Sequence, residues 1–353
     1  MSVQRVETDG PGFTRKGRGK GFEYFDASTA EKITDAEQVQ RLKDLVIPPA
    51  WQDVWICPDP NGHIQAVGYD EAGRRQYIYH EQWRAQRDAE KFDRMLDFAR
   101  WLPALRSSCS SMLEATDKLT RERVLACAVR LLDLGFFRIG GESYAAENET
   151  YGLATMRKEH VSIREGGIIE FDYTGKHGKR RLQNVVDEAI LVVVKTLRLR
   201  RTGGDELLAY RTSKGWRDVT SADINEFVKS ELGEEHTAKD FRTWNATVLA
   251  AVAVAVSGPA TRSAHARKRA VSRACQEVAY YLGNTPAVAR GSYIDPRVFE
   301  RYEEGWTVLP ALERLGDEAV FGVPAYQGAI ETAVIALLED RRDADGVAAV
   351  EDV

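Results

Sequence analysis

The segment Leu282–Pro296, LGNTPAVARGSYIDP, contains the end of one helix and the whole of a second within fifteen residues. Gly283 follows a long amphipathic pattern and is typical of the residue just past a helix C-terminus. Thr285 then predicts an N-cap, and Pro286 predicts the first residue of a new helix. The closing proline limits that helix to about two turns, because the residue before a proline disfavours helical geometry. Tyr293 is therefore predicted at the end of a short, tightly tethered helix.

A single tyrosine in such a place is more often a half-buried structural residue than a catalytic group. Other parts of this chain, however, supply what a tyrosine nucleophile needs. Arg138 lies between an apolar run and a double glycine, so it is predicted beside a core, where it would seek an anion. Lys176 is predicted at the turn of a β-hairpin, from which it can reach into a site. Arg242 falls in the first turns of a helix opened by Thr237 and Asp240, whose dipole favours phosphate.

The charge distribution favours a nucleic-acid partner although the net charge is −5. From Arg301 onward the chain holds four Lys and Arg against twelve Asp and Glu, so residues 1–300 carry a net charge of +3. Residues 256–300 alone hold seven basic and three acidic side chains. A basic body with a separate acidic tail is typical of a protein that binds phosphates with one face, although charge alone fits a solvated surface equally well.

Several classes of protein are disfavoured by what the sequence lacks. The longest apolar run, residues 247–256, is too short for a membrane span and suits a buried helix. The basic N-terminus has no secretory pattern, and the four cysteines lack zinc spacing, so a reduced cytoplasmic protein with no metal site is expected. The Walker spacing is also absent, so no phosphate loop for ATP is expected. No cofactor is expected.

The hydrophobic patterns predict an α+β protein. Short alternating runs at 54–57, 63–68 and 76–79, separated by Pro- and Gly-rich turns, predict a small N-terminal antiparallel β-sheet domain. After Trp83 the periodicity becomes helical, and Pro103 is expected to end the first helix. A mainly α-helical catalytic domain with a β-hairpin follows, and its later helices are predicted near 187–199, 221–232, 238–256 and 262–282.

The predicted domain organisation has three parts. Residues 1–85 form the N-terminal domain, with a flexible basic arm at 1–22. The last strand of this domain mixes basic, amide and aromatic groups, which suit DNA contact, so it is predicted to be a DNA-binding domain. Residues 86–310 form the catalytic domain. Residues 311–353 form an acidic C-terminal tail, which contains a helix-like stretch at 325–338.

Five motifs give the chain a specific resemblance to a known family. In chain order they are IPPAW at 47–51, RIGGESYAAENETYGL at 138–153, TGK at 174–176, AKDFRTW at 238–244 and LGNTPAVARGSYIDP at 282–296. The sequence resembles the type IB DNA topoisomerases of the small poxviral and bacterial kind, and the motifs cover most of residues 40–300 in the family's order. The resemblance implies a catalytic domain with a tyrosine-recombinase-like fold.

The resemblance also implies a role for each candidate catalytic residue. Tyr293 would be the nucleophile, forming a 3′-phosphotyrosyl link and releasing a 5′-hydroxyl. Arg138 and Arg242 would hold the non-bridging oxygens, and Lys176 would act as general acid on the departing oxygen. Asn284 occupies the place where poxviral members carry histidine. An amide can donate a hydrogen bond but carries no charge, so Asn284 is expected to bind the oxyanion only.

DNA contacts are implied on two further segments. Gln76, Tyr77 and Tyr79 match a strand that reads DNA in the major groove, although alternation puts both tyrosines on one face, where they could equally belong to a core. Tyr144, in the motif that begins with RIGG, and Lys239, one turn before the second arginine, are also predicted to contact DNA.

The implied activity is that of an enzyme that nicks one strand of double-stranded DNA, lets the duplex swivel and religates it. A monomer that needs neither ATP nor a metal ion, associates with no membrane and acts in the cytoplasm on the nucleoid is expected. Two alternatives stay open: a tyrosine recombinase, and a non-catalytic DNA-binding protein that has kept the fold. His236 lies six residues before Arg242, which is the wrong spacing for a recombinase His-x-x-Arg motif, and it is interpreted as a surface residue.

Overall fold

A computed structural model describes residues 2–19, 21–258, 263–318 and 327–349. By packing, the chain divides into two units, Met1–Asp93 and Arg94–Val353. The first unit holds an antiparallel sheet, whereas the second is mainly helical and carries a β-hairpin and other small sheets. The predicted α+β class is therefore confirmed. None of the described helices is long and apolar enough to cross a lipid bilayer.

The sheet of the first unit has five antiparallel strands in the order β2-β1-β3-β4-β5. These strands and the one helix between them in the chain are β1 (Phe13–Arg18), β2 (Gly21–Asp26), α1 (Ala36–Asp44), β3 (Gln52–Ile56), β4 (Ile64–Tyr69) and β5 (Arg75–Tyr79). Leu42 of α1 packs with Ile56 and Ala66 of the sheet in one buried core. The three strands predicted from alternation are thus confirmed.

The prediction of a flexible arm at residues 1–22 is wrong for the second half of that segment, which is part of the β1–β2 hairpin. Tyr24 of this hairpin is buried, and Phe22 packs against the same core. The Arg15 guanidinium donates to the carbonyl oxygen of Ile47 at 2.8 Å. Burial of the aromatic side chains of the hairpin is favourable, and it outweighs the conformational entropy that the glycine-rich segment loses when it becomes ordered.

The second unit begins within a long helix, and its remaining elements follow in chain order. They are α2 (Glu81–Glu114), α3 (Arg121–Gly135), α4 (Glu142–Asn148), β6 (Val161–Ile163), β7 (Ile169–Gly175), β8 (Lys179–Val185), α5 (Glu188–Leu199), β9 (Ala209–Thr212), β10 (Gly215–Asp218), α6 (Ser221–Leu232), α7 (Ala238–Ala255), α8 (Ala264–Leu282), α9 (Pro286–Ser292), α10 (Arg297–Glu303), β11 (Trp306–Thr307), α11 (Leu309–Glu318), α12 (Ala329–Leu338) and β12 (Ala348–Ala349). Helix α7 is buried along most of its length and contacts α3, α8, α10 and α12. It is the element around which the site is built.

Pro103 does not end the first helix, contrary to prediction, because α2 continues through it to Glu114. Leu105, Cys109 and Leu113 extend the buried face of α2 beyond the proline. A proline inside a helix costs about 3 kcal/mol, and burying such apolar side chains contributes about 1.5–3 kcal/mol each, which offsets it. The helix also runs through the predicted domain boundary at residue 85, and packing places the division after Asp93.

The segment predicted as an acidic tail contains α12, which packs within the second unit. Its buried apolar side chains are Ile330, Ala333, Val334, Ala336, Leu337 and Leu338. Glu331 on the same helix accepts from Arg106 at 2.6 Å and from the Trp244 indole at 2.8 Å, both in the interior. Arg106 also donates to Asp133 at 2.9 Å, which links α12 to α3. One acidic residue of this segment is therefore a buried ion-pair partner that helps to fix α7.

Candidate active site

One cavity of about 320 Å³ brings four of the predicted catalytic side chains together. Arg138, Lys176, Arg242 and Tyr293 all line it, and so does Lys239. These residues come from a loop, a hairpin turn, a long helix and the end of a short helix. Asn284 lies beside the cavity, where its Oδ1 accepts a hydrogen bond from Arg138. The structure therefore places all five predicted catalytic residues in one site.

Tyr293 stands at the end of α9, as the local sequence signals predict. Gly283 ends α8 in the left-handed conformation, with φ of 65°. The Thr285 hydroxyl then caps α9 by accepting from the amide of Val288 at 3.3 Å. The backbone amide of Tyr293 donates to the carbonyl of Ala289 at 3.1 Å, so this residue closes the last turn of the helix.

The main chain on the other side of Tyr293 is held by buried polar contacts. The Thr247 hydroxyl of α7 lies 3.3 Å from the carbonyl oxygen of Tyr293 and accepts from the amide of Asp295 at 3.1 Å. The Asp295 side chain is fully buried and pairs with Arg297 at 2.8 Å. The main chain is thus held on both sides of Tyr293.

Arg242 is a buried cation that joins three segments of the site. Only 3% of it is exposed, and it donates to the carbonyl of Leu282 at 2.8 Å and to that of Phe136. Burial, together with the nearby Arg138, lowers its pKa to about 10, although Tyr293 opposes this effect. Its Nε atom has no hydrogen-bond partner among the described residues. A buried cation with a spare donor favours an anion such as a phosphate.

The Arg242 guanidinium carbon lies 5.4 Å from the centre of the Tyr293 ring. Burial by itself raises the pKa of the Tyr293 hydroxyl. Arg242, Arg138 and Lys239 lower that pKa, and the net result lies below the ordinary value of 10. A phenolate is a better nucleophile than a phenol, so these cations make Tyr293 the candidate nucleophile of the site.

Arg138 is positioned by the close approach of two loops. A Cβ atom at Gly152 would lie 2.5 Å from the Cα of Gly140, so a side chain there would force the loops apart. The amide of Leu153 donates to the carbonyl of Arg138 at 2.8 Å, and that of Ala154 donates to the next carbonyl at 2.7 Å. Two segments of the same sequence motif therefore hold the arginine in place.

Lys176 is exposed at the turn between β7 and β8, as predicted. The hairpin is tied to the loop that follows α4, because the amide of Tyr151 donates to the carbonyl of Thr174 at 2.8 Å. The lysine is therefore carried by an anchored hairpin, and its own side chain is free to reach the cavity that it lines.

The predicted DNA-reading strand, β5, is an edge strand of the first unit. Tyr77 and Tyr79 are 39% and 45% exposed, which excludes the core alternative for both. Their rings stack at 5.9 Å, and Arg75 lies 5.3 Å from the Tyr77 ring. Gln76 projects to the other face, where it donates to Asp70 at 2.9 Å. The two tyrosines and the arginine therefore form one exposed face, to which Gln76 does not belong.

The remaining predicted residues have different outcomes. Lys239 lines the cavity. Tyr144 lies in α4, but its side chain is outside the part of the chain that the structure describes. The interpretation of His236 as a surface residue is wrong. This histidine is only 7% exposed, and its ring centroid lies 5.6 Å from that of Phe98. No periodicity in the short connection before α7 indicated that burial.

Thr150, Tyr151 and Arg181 are among the residues of the site that were not predicted. Thr150 and Tyr151 line the cavity, and Arg181 lines a small adjoining recess together with Lys176. The first two lie within the long motif at 138–153, which gave a signal for the segment but not for these side chains. The basic run at 179–181 does not reveal which of its side chains faces the site.

A tyrosine beside two arginines and a lysine in one cavity defines the class of site expected of an enzyme that breaks and rejoins phosphodiesters through a tyrosine. The family model for the catalytic core of eukaryotic DNA topoisomerase I matches residues 80–309. The model for the N-terminal domain of bacterial DNA topoisomerase IB matches residues 21–70. The chain belongs to the type IB DNA topoisomerase family, and the resemblance inferred from its motifs is confirmed.

Individual relatives agree with this assignment. The chain is 31% identical to DNA topoisomerase 1B of Acanthamoeba polyphaga mimivirus over 302 residues, which cover 83% of this chain and 88% of that protein. It is 23% identical to DNA topoisomerase I of Monkeypox virus, over 67% of this chain and 72% of the viral protein. DNA topoisomerase 1 of Daucus carota is 27% identical over 45% of this chain but only 19% of its own length.

Proposed function

We propose that this protein relaxes supercoiled double-stranded DNA as a monomer, without ATP or a metal ion. It cuts one strand, lets the duplex swivel and reseals the strand. The observation that carries the proposal is that one cavity is lined by Tyr293, Arg138, Arg242 and Lys176. These are the groups that phosphodiester transesterification requires.

In the proposed cleavage step the Tyr293 oxygen attacks the phosphorus of one strand. A bond from that oxygen to phosphorus forms while the bond from phosphorus to the 5′ oxygen breaks. The phenolic proton leaves to solvent, and Lys176 supplies a proton to the departing 5′ oxygen. Religation is the reverse reaction. Because one phosphodiester is exchanged for another, the cycle needs no energy source.

Arg138 and Arg242 would stabilise the charge that grows on the non-bridging oxygens. Arg242 suits this role because its position is fixed by two backbone carbonyls, so little reorganisation is needed when a phosphate arrives. Arg138 is fixed by its loop and by Asn284. Two preorganised cations in a partly buried site act more strongly than they would in water.

Asn284→Ala is expected to slow single-turnover cleavage by about 10–10³-fold, the scale of losing one oxyanion donor. The amide orients Arg138 through its oxygen, and its buried nitrogen has no hydrogen-bond partner within the described ranges. In the proposal this nitrogen donates to the phosphate once the DNA is bound. Asn284→His should retain activity, because an imidazole can also donate to the phosphate. The measurement is the rate of covalent adduct formation on a short duplex.

The control for this prediction is Thr285→Ala, which removes the α9 cap and leaves the amide in place. It should lower the free energy of unfolding by about 1 kcal/mol and change cleavage much less. Full activity in Asn284→Ala would mean that the amide is a structural residue at the helix junction.

Duplex binding is proposed for the exposed face formed by Arg75, Tyr77 and Tyr79, because arginine and aromatic groups suit contact with bases and phosphates. Lys239 would bind a phosphate at the cavity, and Tyr144 and Gln76 remain proposed contacts.

We also propose that the protein acts in the cytoplasm on nucleoid DNA. Its four cysteines are free, as is usual in a reducing compartment.

The nearest alternative is a tyrosine recombinase, which must assemble protomers on paired sites through an exchanged C-terminal element. Here α12 packs against α7 and α10 of its own chain, and Glu331 accepts hydrogen bonds from Arg106 and Trp244. A helix that is buried in its own catalytic unit is not free to dock on a neighbour. This observation favours the monomeric topoisomerase.

A dilution series on one supercoiled plasmid in EDTA separates the two functions. We expect positive and negative supercoils to relax, with a rate that falls on dilution only as DNA binding falls. Relaxation that needs paired specific sites, a second-order dependence on protein concentration, or recombinant products would instead identify a recombinase.

A further inference from the structure

The end of α8 is capped by two arginines from other segments. A helix leaves its last carbonyl groups without partners, and basic side chains can satisfy them. Arg242 donates to the carbonyl of Leu282 at 2.8 Å. Arg181 donates to the carbonyls of Tyr280, at 2.9 Å, and of Tyr281. The second of these arginines belongs to none of the catalytic roles described above.

Arg181 reaches α8 from the hairpin that carries Lys176. It lies on β8 opposite Tyr173 of β7, close to the turn. A Cβ atom at Gly175 would lie 2.9 Å from its Cγ, and one at Gly283 would lie 3.0 Å from its Nη1. The side chain therefore runs from one glycine to the other, between the hairpin and the helix end.

We propose that Arg181 is a positioning residue for strand cleavage. It fastens the β7–β8 hairpin to the end of α8, and Asn284 and Tyr293 follow that end in the chain. The general acid, Lys176, is thereby held in a fixed position relative to the nucleophile, Tyr293. The inference rests on the proposed function, because it assigns Arg181 an effect through Lys176. Without this link the hairpin keeps its bond to the loop after α4 but loses its contact with α8, so the exposed lysine would sample more positions. A misplacement of about 1 Å can cost about 10²-fold in rate.

A direct contact between Arg181 and a DNA phosphate is the competing role. Both terminal nitrogens of the guanidinium already donate to backbone carbonyls of α8. Its stem is packed over Gly175, which fixes its direction. These contacts favour positioning over direct binding, and the two roles predict different responses to the leaving group.

The test compares single-turnover cleavage of a duplex with an ordinary 5′-bridging oxygen and one with a 5′-bridging sulfur, which needs little protonation to depart. Arg181→Ala should be slower by about 10–10²-fold on oxygen and close to wild type on sulfur. The double variant with Lys176→Ala should be no slower on oxygen than Lys176→Ala alone. Arg180→Ala is the matched control, because this neighbour pairs with Asp172 on the exposed side at 2.7 Å and should leave both rates unchanged.

Equal slowing on both substrates, or additive effects in the double variant, would overturn the inference. If Arg181→Ala binds DNA more weakly and with a changed salt dependence, and if sulfur does not restore its cleavage rate, Arg181 contacts a phosphate directly. Arg181→Met retains the packed stem and answers the same question if the alanine variant does not fold. If Lys176→Ala itself is not rescued by sulfur, the proposed acid step fails; if it is rescued and Arg181→Ala is not, only the positioning role fails.

Discussion

Tyr293→Phe is expected to abolish plasmid relaxation and to leave DNA binding nearly unchanged. Only the hydroxyl is lost, and the main-chain contacts of residue 293 through its amide and carbonyl groups are retained. The ring that lies 5.4 Å from the Arg242 guanidinium is retained. Without the oxygen no covalent link to phosphorus can form. The measurements are gel-based relaxation, denaturant trapping of the protein–DNA adduct and a binding titration on a linear duplex.

Tyr302→Phe is a suitable control for this experiment. Its side chain is buried in α10, and its hydroxyl has no hydrogen-bond partner in the described part of the chain, so the change should leave relaxation intact. Relaxation by Tyr293→Phe at a rate near that of the wild type would reject this residue as the nucleophile. A wild-type protein that binds DNA but forms no adduct would favour the non-catalytic alternative.

Lys176→Ala is expected to slow cleavage by about 10²–10⁴-fold, the range for losing general acid catalysis. The departing 5′ oxygen is a poor leaving group unless it is protonated, and Lys176 lines the cavity from an exposed turn. The measurement is the single-turnover rate of adduct formation. A 5′-bridging sulfur leaves readily without a proton, so it should restore the rate of this variant.

Variants of Arg138 and Arg242 provide the comparison for Lys176→Ala. Arg138→Ala and Arg242→Ala should also be slow, but sulfur should not rescue them if their main task is to stabilise charge on the non-bridging oxygens. Arg242→Ala requires a stability measurement as well, because its guanidinium bonds two buried carbonyls. Equal rescue of all three variants would refute this division of roles.

The elements that could be predicted depend on residues close together in the chain. Gly283, Thr285 and Pro286 define the junction of α8 and α9 through contacts that span no more than five residues. The same holds for the start of α7, where Asp240 accepts from the amide of Thr237 at 2.7 Å. Caps and turns are decided by local hydrogen bonds, so their sequence signals are reliable.

The wrong predictions concern segments whose state depends on distant partners. The basic residues near the N-terminus form a hairpin because Tyr24 and Phe22 find a core made by later strands. Pro103 stays within α2 because the residues after it are buried. His236 is buried against Phe98, which is far away in sequence. In each case packing outweighs a local preference.

Family membership and the candidate catalytic residues followed from motifs, whereas the properties of those residues come from the tertiary structure. The pKa of Arg242 falls to about 10 because folding buries the guanidinium beside Arg138. Arg181 meets the end of α8, and Glu331 meets Arg106, across long stretches of chain. Desolvation and contacts between distant segments exist only once the chain has folded, so only the tertiary structure determines them.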